Sequence, residues 1–204
     1  MTPLQRIAMG MVIVLIPANF RASPSPEWAF YDALPDPIGW GMVVWGVVEL
    51  GRHSDLDLGI VKWMAALALL VSIPMWFPQI NHLLAEAYNP DLNTAAKSGQ
   101  WFLSLPHSVF GLLLSREIGR AGQLAEDKYL ASRFGLLCWG FGALVVLPAV
   151  AYGAAVDALV TPTLVLIAVV NIGFIHYLFV SHRRRILGGP GPRDWTKANR
   201  PPSP

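Results

Sequence analysis

The 204-residue sequence is 54% hydrophobic and only 14% charged, with a formal net charge of +2 and a mean hydropathy of +0.46. That balance excludes an ordinary soluble domain and makes a lipid bilayer the natural solvent. The single cysteine, Cys138, lies within an apolar run, so no intrachain disulfide can form and no redox compartment is implied.

Residues 7–20 form the first apolar run, bounded by Arg6 and Arg21. The run is short for a hydrocarbon core of about 30 Å, which wants roughly 20 helical residues. A tilted span, a re-entrant segment and a signal peptide all fit it, and the poor small-residue cleavage pattern around Ala18 to Ser23 favours an uncleaved span. Residues 21–37 read as a first outer loop, with Trp28, Phe30 and Tyr31 suited to the headgroup layer. Asp36 suits a helix N-terminus ahead of Pro37, whose missing N–H costs nothing in a first turn. The second run, 38–50, carries Gly39, Gly41 and Gly46, which allow a neighbouring helix to approach closely.

A polar turn with Arg52, His53, Asp55 and Asp57 leads into a third run at 60–77, interrupted by Lys62 and Pro74. From Pro78 to Gln100 the chain is mixed, and 79–88 fits a short amphipathic helix on the outer interface, ended by Asn89-Pro90-Asp91. The fourth run, 101–114, holds Ser104, Pro106, His107 and Ser108 and is therefore expected inside the bundle. A charged, helix-compatible connector follows at 115–133, and 134–155 and 159–180 are full-length spans. The end opens with His182 and Arg183 to Arg185 and becomes rich in glycine and proline, which reads as a stop-transfer anchor and a disordered tail.

The expected fold is all-α, a polytopic membrane bundle of about six transmembrane helices over residues 1–187, with residues 188–204 as a disordered cytoplasmic tail. Six crossings put both termini on one side. Of the basic residues, only Arg21 and Lys97 fall on the other side, so the positive-inside rule makes both termini cytoplasmic. The basic tail is expected to be attracted to anionic lipid, at about 1 kcal/mol per basic residue near the surface. No nucleic-acid-binding motif accompanies it, and no nucleic-acid partner is expected.

The prolines at 17, 35, 37, 74, 78, 106, 148 and 162 all map to the outer half or outer ends of the six expected spans. They fit helix starts and ends, or an outward-facing hydrated vestibule in which freed carbonyls meet water. His107 and Asn171 are the candidate substrate or pathway residues, since intramembrane polar groups cluster on pathways, though an amide at mid-span also serves as interhelical glue. His176 lies about 10 Å from His107 in height when each is counted from its apolar run, which does not suit the two faces of one haem, and no cofactor is expected. His82, Glu86 and Asp91 form a candidate outer cation cluster, with His82 and Glu86 spaced to share a helical face. Glu49 is expected to pair with His53 or Lys62. No nucleophile elbow, zinc-protease motif or phosphate loop is present, so no catalytic residues are assigned.

The stretch Asn19-Phe20, Tyr31 to Asp36 and Ile38-Gly-Trp40 resembles a loose group of bacterial multi-pass membrane proteins with a Leu-Pro-Asp-x-Ile-Gly-aromatic hairpin near the N-terminus. Pro37 departs from the residue type usual after the Asp. The resemblance covers roughly the first quarter of the chain and implies a bacterial cytoplasmic-membrane protein, but no activity. Two functions follow as expectations: a noncatalytic membrane subunit or scaffold whose partners are the lipid bilayer and other membrane subunits, or a small-solute transporter or channel component.

Overall fold

The computed structural model describes residues 1–16, 36–77, 94–153 and 156–191. Among them are six α-helices and no strand: α1 (Pro3–Leu15), α2 (Asp36–His53), α3 (Gly59–Met75), α4 (Thr94–Leu124), α5 (Lys128–Gly153) and α6 (Val160–Ser181). Each helix packs on its neighbours in sequence, and α1 closes the ring by packing on α6.

Local chemistry sets the ends. Thr2 accepts a hydrogen bond from the Gln5 N–H while its own N–H donates to Gln5 Oε1, a capping box that starts α1 four residues before the apolar run. Leu4, Ile7, Ala8 and Met11 then form one buried stripe. Asp36 lies in the first turn of α2, as an acid at a helix N-terminus should. Asp127 Oδ1 accepts from the backbone N–H groups of Tyr129 and Leu130, both at 3.2 Å, and so caps α5.

The α1–α2 crossing is set by missing side chains. A Cβ on Gly39 would stand 2.7 Å from Gly10 O, and one on Gly10 would stand 2.5 Å from Gly39 O, so the two backbones touch there. Gly46 similarly receives Ile7, whereas Gly41 faces open space and takes no part.

The expected connector at 115–133 is a three-residue turn, 125–127, between two long helices. Ser115 to Leu124 is polar enough to leave an apolar solvent but remains helix-forming, so the helix outlasts the apolar run. Leu114 and Ile118 on α4, and Leu130 and Phe134 on α5, are completely buried in this antiparallel hairpin.

One end of the bundle, here the basal end, gathers the charge. Arg6 pairs with Glu49, Arg184 pairs with Asp127, and the turns 54–58 and 125–127 lie there. Above it, residues 7–15, 37–48, 63–75, 101–115, 134–153 and 160–181 contain no Asp, Glu, Lys or Arg. Lys128–Ala151 and Val160–Ser181 are long and apolar enough to cross a membrane, and α1 and α3 are apolar but shorter. These two long segments are only 33% and 28% buried, unlike the core helices of a soluble protein, which hide their apolar side chains. Trp139 is 82% and Trp63 75% exposed, so the apolar surface faces outward.

Residues 192–204, most of the segment read as a tail, lie outside the described residues.

Candidate functional site

The helical repeat puts His107, Phe110, Leu114 and Ile118 on one face of α4 and Asn171, Phe174, Leu178 and Ser181 on one face of α6. The two faces meet in the interior. Asn171 Nδ2 donates to Ile167 O at 2.9 Å, one turn back on its own helix, which turns Oδ1 outward from that helix. His107 Nε2 lies 2.8 Å from this oxygen. An amide oxygen only accepts, so Nε2 must carry a proton, and in the neutral ring Nδ1 is then an acceptor.

Aromatic rings adjoin the pair through Trp40. Trp40, from the first turns of α2, meets the His107 ring edge-on at 5.5 Å and Phe110 at the same distance. Phe110 stacks edge-to-face on Phe174 at 6.4 Å, and Phe174 on Phe141 at 5.1 Å. A column of four rings thus ties α2, α4, α6 and α5 together beneath one polar contact. Asn171 is 4% exposed, so its hydrogen bonds replace water rather than compete with it. An interhelical hydrogen bond of this kind contributes about 0.6–2 kcal/mol in an apolar medium.

The two residues singled out in the sequence for a pathway are therefore direct partners. Counting from apolar runs places His107 about six residues deep, too shallow to meet Asn171. Counting from helix starts, His107 lies 13 residues after Thr94 and Asn171 11 after Val160, heights of about 20 and 17 Å at 1.5 Å per residue. The aromatic column carried no signal of its own: Phe110, Phe141 and Phe174 read only as apolar residues, and Trp40, whose place in the first turn after Pro37 suits an indole at the membrane surface, is instead 3% exposed among the rings of the interior. His176 lies against Tyr177, ring centroids 5.3 Å apart.

Near the prolines, Trp101 Nε1 donates to Val145 O at 3.1 Å. That carbonyl adjoins the one at Leu144 which Pro148 deprives of its helical N–H partner. A neighbouring helix thus supplies a donor where proline weakens the ladder, as apolar surroundings require.

At the basal end Glu49 binds Arg6, not His53 or Lys62. The Arg6 guanidinium also lies 4.1 Å from the centre of the Trp45 ring, and this cation–π contact holds it in place for the carboxylate. His53 Nδ1 is instead 2.9 Å from the Glu49 backbone carbonyl, and Lys62 reaches across to Gly51. His82, Glu86 and Asp91, the candidate cation cluster, lie outside the described residues. Among the described residues no three His, Cys, Asp or Glu side chains converge as metal ligands would.

No family model, curated protein or solved structure matches the chain.

Proposed function

We propose that the chain is a multi-pass integral membrane protein of the bacterial cytoplasmic membrane, with six crossings and both termini cytoplasmic, that serves as a noncatalytic subunit or scaffold binding partner subunits within the bilayer. The supporting observation is the disposition of its apolar surface. The interior is closed by aliphatic side chains and a column of four rings, while Trp63, Leu70, Trp139 and Ile172 stand between 63% and 82% exposed on the outside. Large rigid rings presented outward between helices are good anchors for a second helix, because they bury much area at little cost in side-chain entropy. The hairpin resemblance favours the bacterial membrane, and the basal concentration of arginine favours cytoplasmic termini.

Replacing Trp139 with a photoreactive benzoylphenylalanine and irradiating native membranes tests the scaffold role. A discrete protein adduct, absent when the probe stands at the buried Phe174, is the expected result. Adducts to lipid alone would overturn it.

A second reading, a small-solute transporter or channel component, is favoured by the His107–Asn171 contact. The pair retains His107 Nδ1 as an acceptor and one Asn171 N–H as a donor, a complement for a small polar solute. Solute flux in proteoliposomes that disappears on Asn171→Leu would establish this reading over the first.

A further inference from the structure

The basic segment after α6 is a folded loop rather than a trailing run of charge. Arg184 N–H donates to Ser181 O and Gly189 N–H to Arg184 O, both at 3.0 Å, and Gly191 N–H donates to Arg183 O at 2.9 Å. Gly188 and Gly191 adopt φ values of +70° and +85°, the left-handed region that glycine enters without steric cost. Leu187 is 1% exposed and anchors the loop in the core.

The loop wraps Arg183, Arg184 and Arg185 around a cavity of about 390 Å³ whose wall also includes Asp127, Val180 and Ile186. The acid in that wall is already engaged: Asp127 Oδ1 caps α5, and Oδ2 takes Arg184 Nη1 at 2.9 Å. The Arg184 guanidinium is further held 5.8 Å from the centre of the Tyr129 ring. Among the described residues, neither Arg183 nor Arg185 has an ion-pair partner. Two positive charges therefore stand in excess around a concave space. Guanidinium forks match phosphate oxygens two at a time, and a preformed arginine set holds a phosphate more specifically than lysines of the same charge.

The rest of the wall decides between phosphates. Val180 is 49% and Ile186 37% exposed, and Val180 continues the apolar outer surface of α6. A soluble phosphate would leave that edge wet, whereas a phospholipid would place its headgroup among the arginines and run its acyl chains along Val180.

We propose that this cavity is a binding site for the phosphate headgroup of an anionic membrane lipid, at the basal junction of α4, α5 and α6. The assignment rests on the membrane reading above and goes beyond general attraction of a basic tail to an acidic surface, because it names a site that charge alone would not create.

The full chain is reconstituted into nanodiscs of phosphatidylcholine with a minor fraction of phosphatidylglycerol, and the lipids retained after gentle delipidation are counted by native mass spectrometry. The Arg183→Gln/Arg185→Gln variant is compared with Lys197→Gln/Arg200→Gln, which removes the same charge from the same terminal segment. Both variants keep the Asp127–Arg184 pair, and an unchanged thermal midpoint in detergent verifies their folding. The site predicts preferential retention of phosphatidylglycerol that falls about tenfold or more in the first variant and less than about twofold in the second. Equal losses in both variants, or no preference in the parent protein, would overturn the site while leaving the membrane reading intact. Failure of the parent protein to enter nanodiscs, with a monodisperse species in detergent-free buffer, would instead overturn the membrane reading. Saturable binding of inorganic phosphate in lipid-free detergent, abolished by the first variant and unaccompanied by lipid retention, would make the ligand a soluble phosphate and overturn the lipid assignment.

Discussion

Replacing Asn171 with leucine tests whether the His107–Asn171 contact is the interior tie between α4 and α6. Leucine keeps the branched four-atom skeleton of asparagine but carries bulkier methyl groups, and Asn171 is 4% exposed, so the single substitution adds some overpacking and only a double-mutant cycle with His107 isolates the polar groups. The variant loses the 2.8 Å bond and leaves the His107 Nε2–H beside the Trp40 ring without that acceptor. An orphaned buried donor costs about 1–3 kcal/mol, and the lost bond alone is worth about 0.6–2 kcal/mol in lipid. The two figures describe the same loss, so the polar part of Asn171→Leu should destabilise by about 1–2 kcal/mol, a factor of about 5–30 in the folded-to-unfolded ratio. His107→Leu should cost a similar amount by stranding Asn171 Oδ1. The double variant strands nothing and should cost clearly less than the sum, with a coupling of about 1 kcal/mol or more. Reversible unfolding in mixed micelles measures all four corners of the cycle. Additivity within about 0.3 kcal/mol would refute the tie.

Gly39→Val should displace α1, because its Cβ must stand 2.7 Å from the Gly10 carbonyl; a loss of about 1–3 kcal/mol is expected in the same assay, against little effect from Gly41→Val. Asp127→Ala removes the α5 cap and the Arg184 partner together, and should cost about 1–2 kcal/mol, read as a lowered thermal midpoint. Glu49→Gln should cost no more than about 1 kcal/mol, since both side chains of the Arg6–Glu49 pair keep contact with solvent at 15% and 26% exposure and Arg6 retains the Trp45 ring. An increase in salt sensitivity of the variant relative to the parent, measured by the midpoint, would contradict that account.

Composition and periodicity made the helical class and the close approach at Gly39 and Gly46 legible, because each depends on side-chain type within a single helix; the fourth run, expected inside the bundle, is buried on only one face, with His107 half-buried and Phe102 66% exposed. What they missed depends on where helices begin and which faces meet. Apolar runs mark where the solvent changes, whereas helices continue as long as propensity and caps allow. The Thr2–Gln5 box therefore extends α1 before its run, and α4 continues from Leu114 to Leu124 past the end of its run. The same offset hid the His107–Asn171 contact, since depth counted from Trp101 placed the imidazole too high. Glu49 illustrates the second limit: His53 and Lys62 are near in sequence, but α1 returns Arg6 to it from 43 positions away. The arginines at 183–185 were visible as charge, while their closure into a loop depends on Gly188, Gly191 and Leu187 acting through backbone geometry.

The topology itself is tested most directly by placing single cysteines in a Cys138→Ala background at Val156, between α5 and α6, and at Ser54, between α2 and α3, and labelling intact cells with a membrane-impermeant maleimide. Six crossings with cytoplasmic termini predict that Val156→Cys is labelled in intact cells and that Ser54→Cys is labelled only after the membrane is opened. Labelling of both positions in intact cells, or the reverse pattern, would contradict the account.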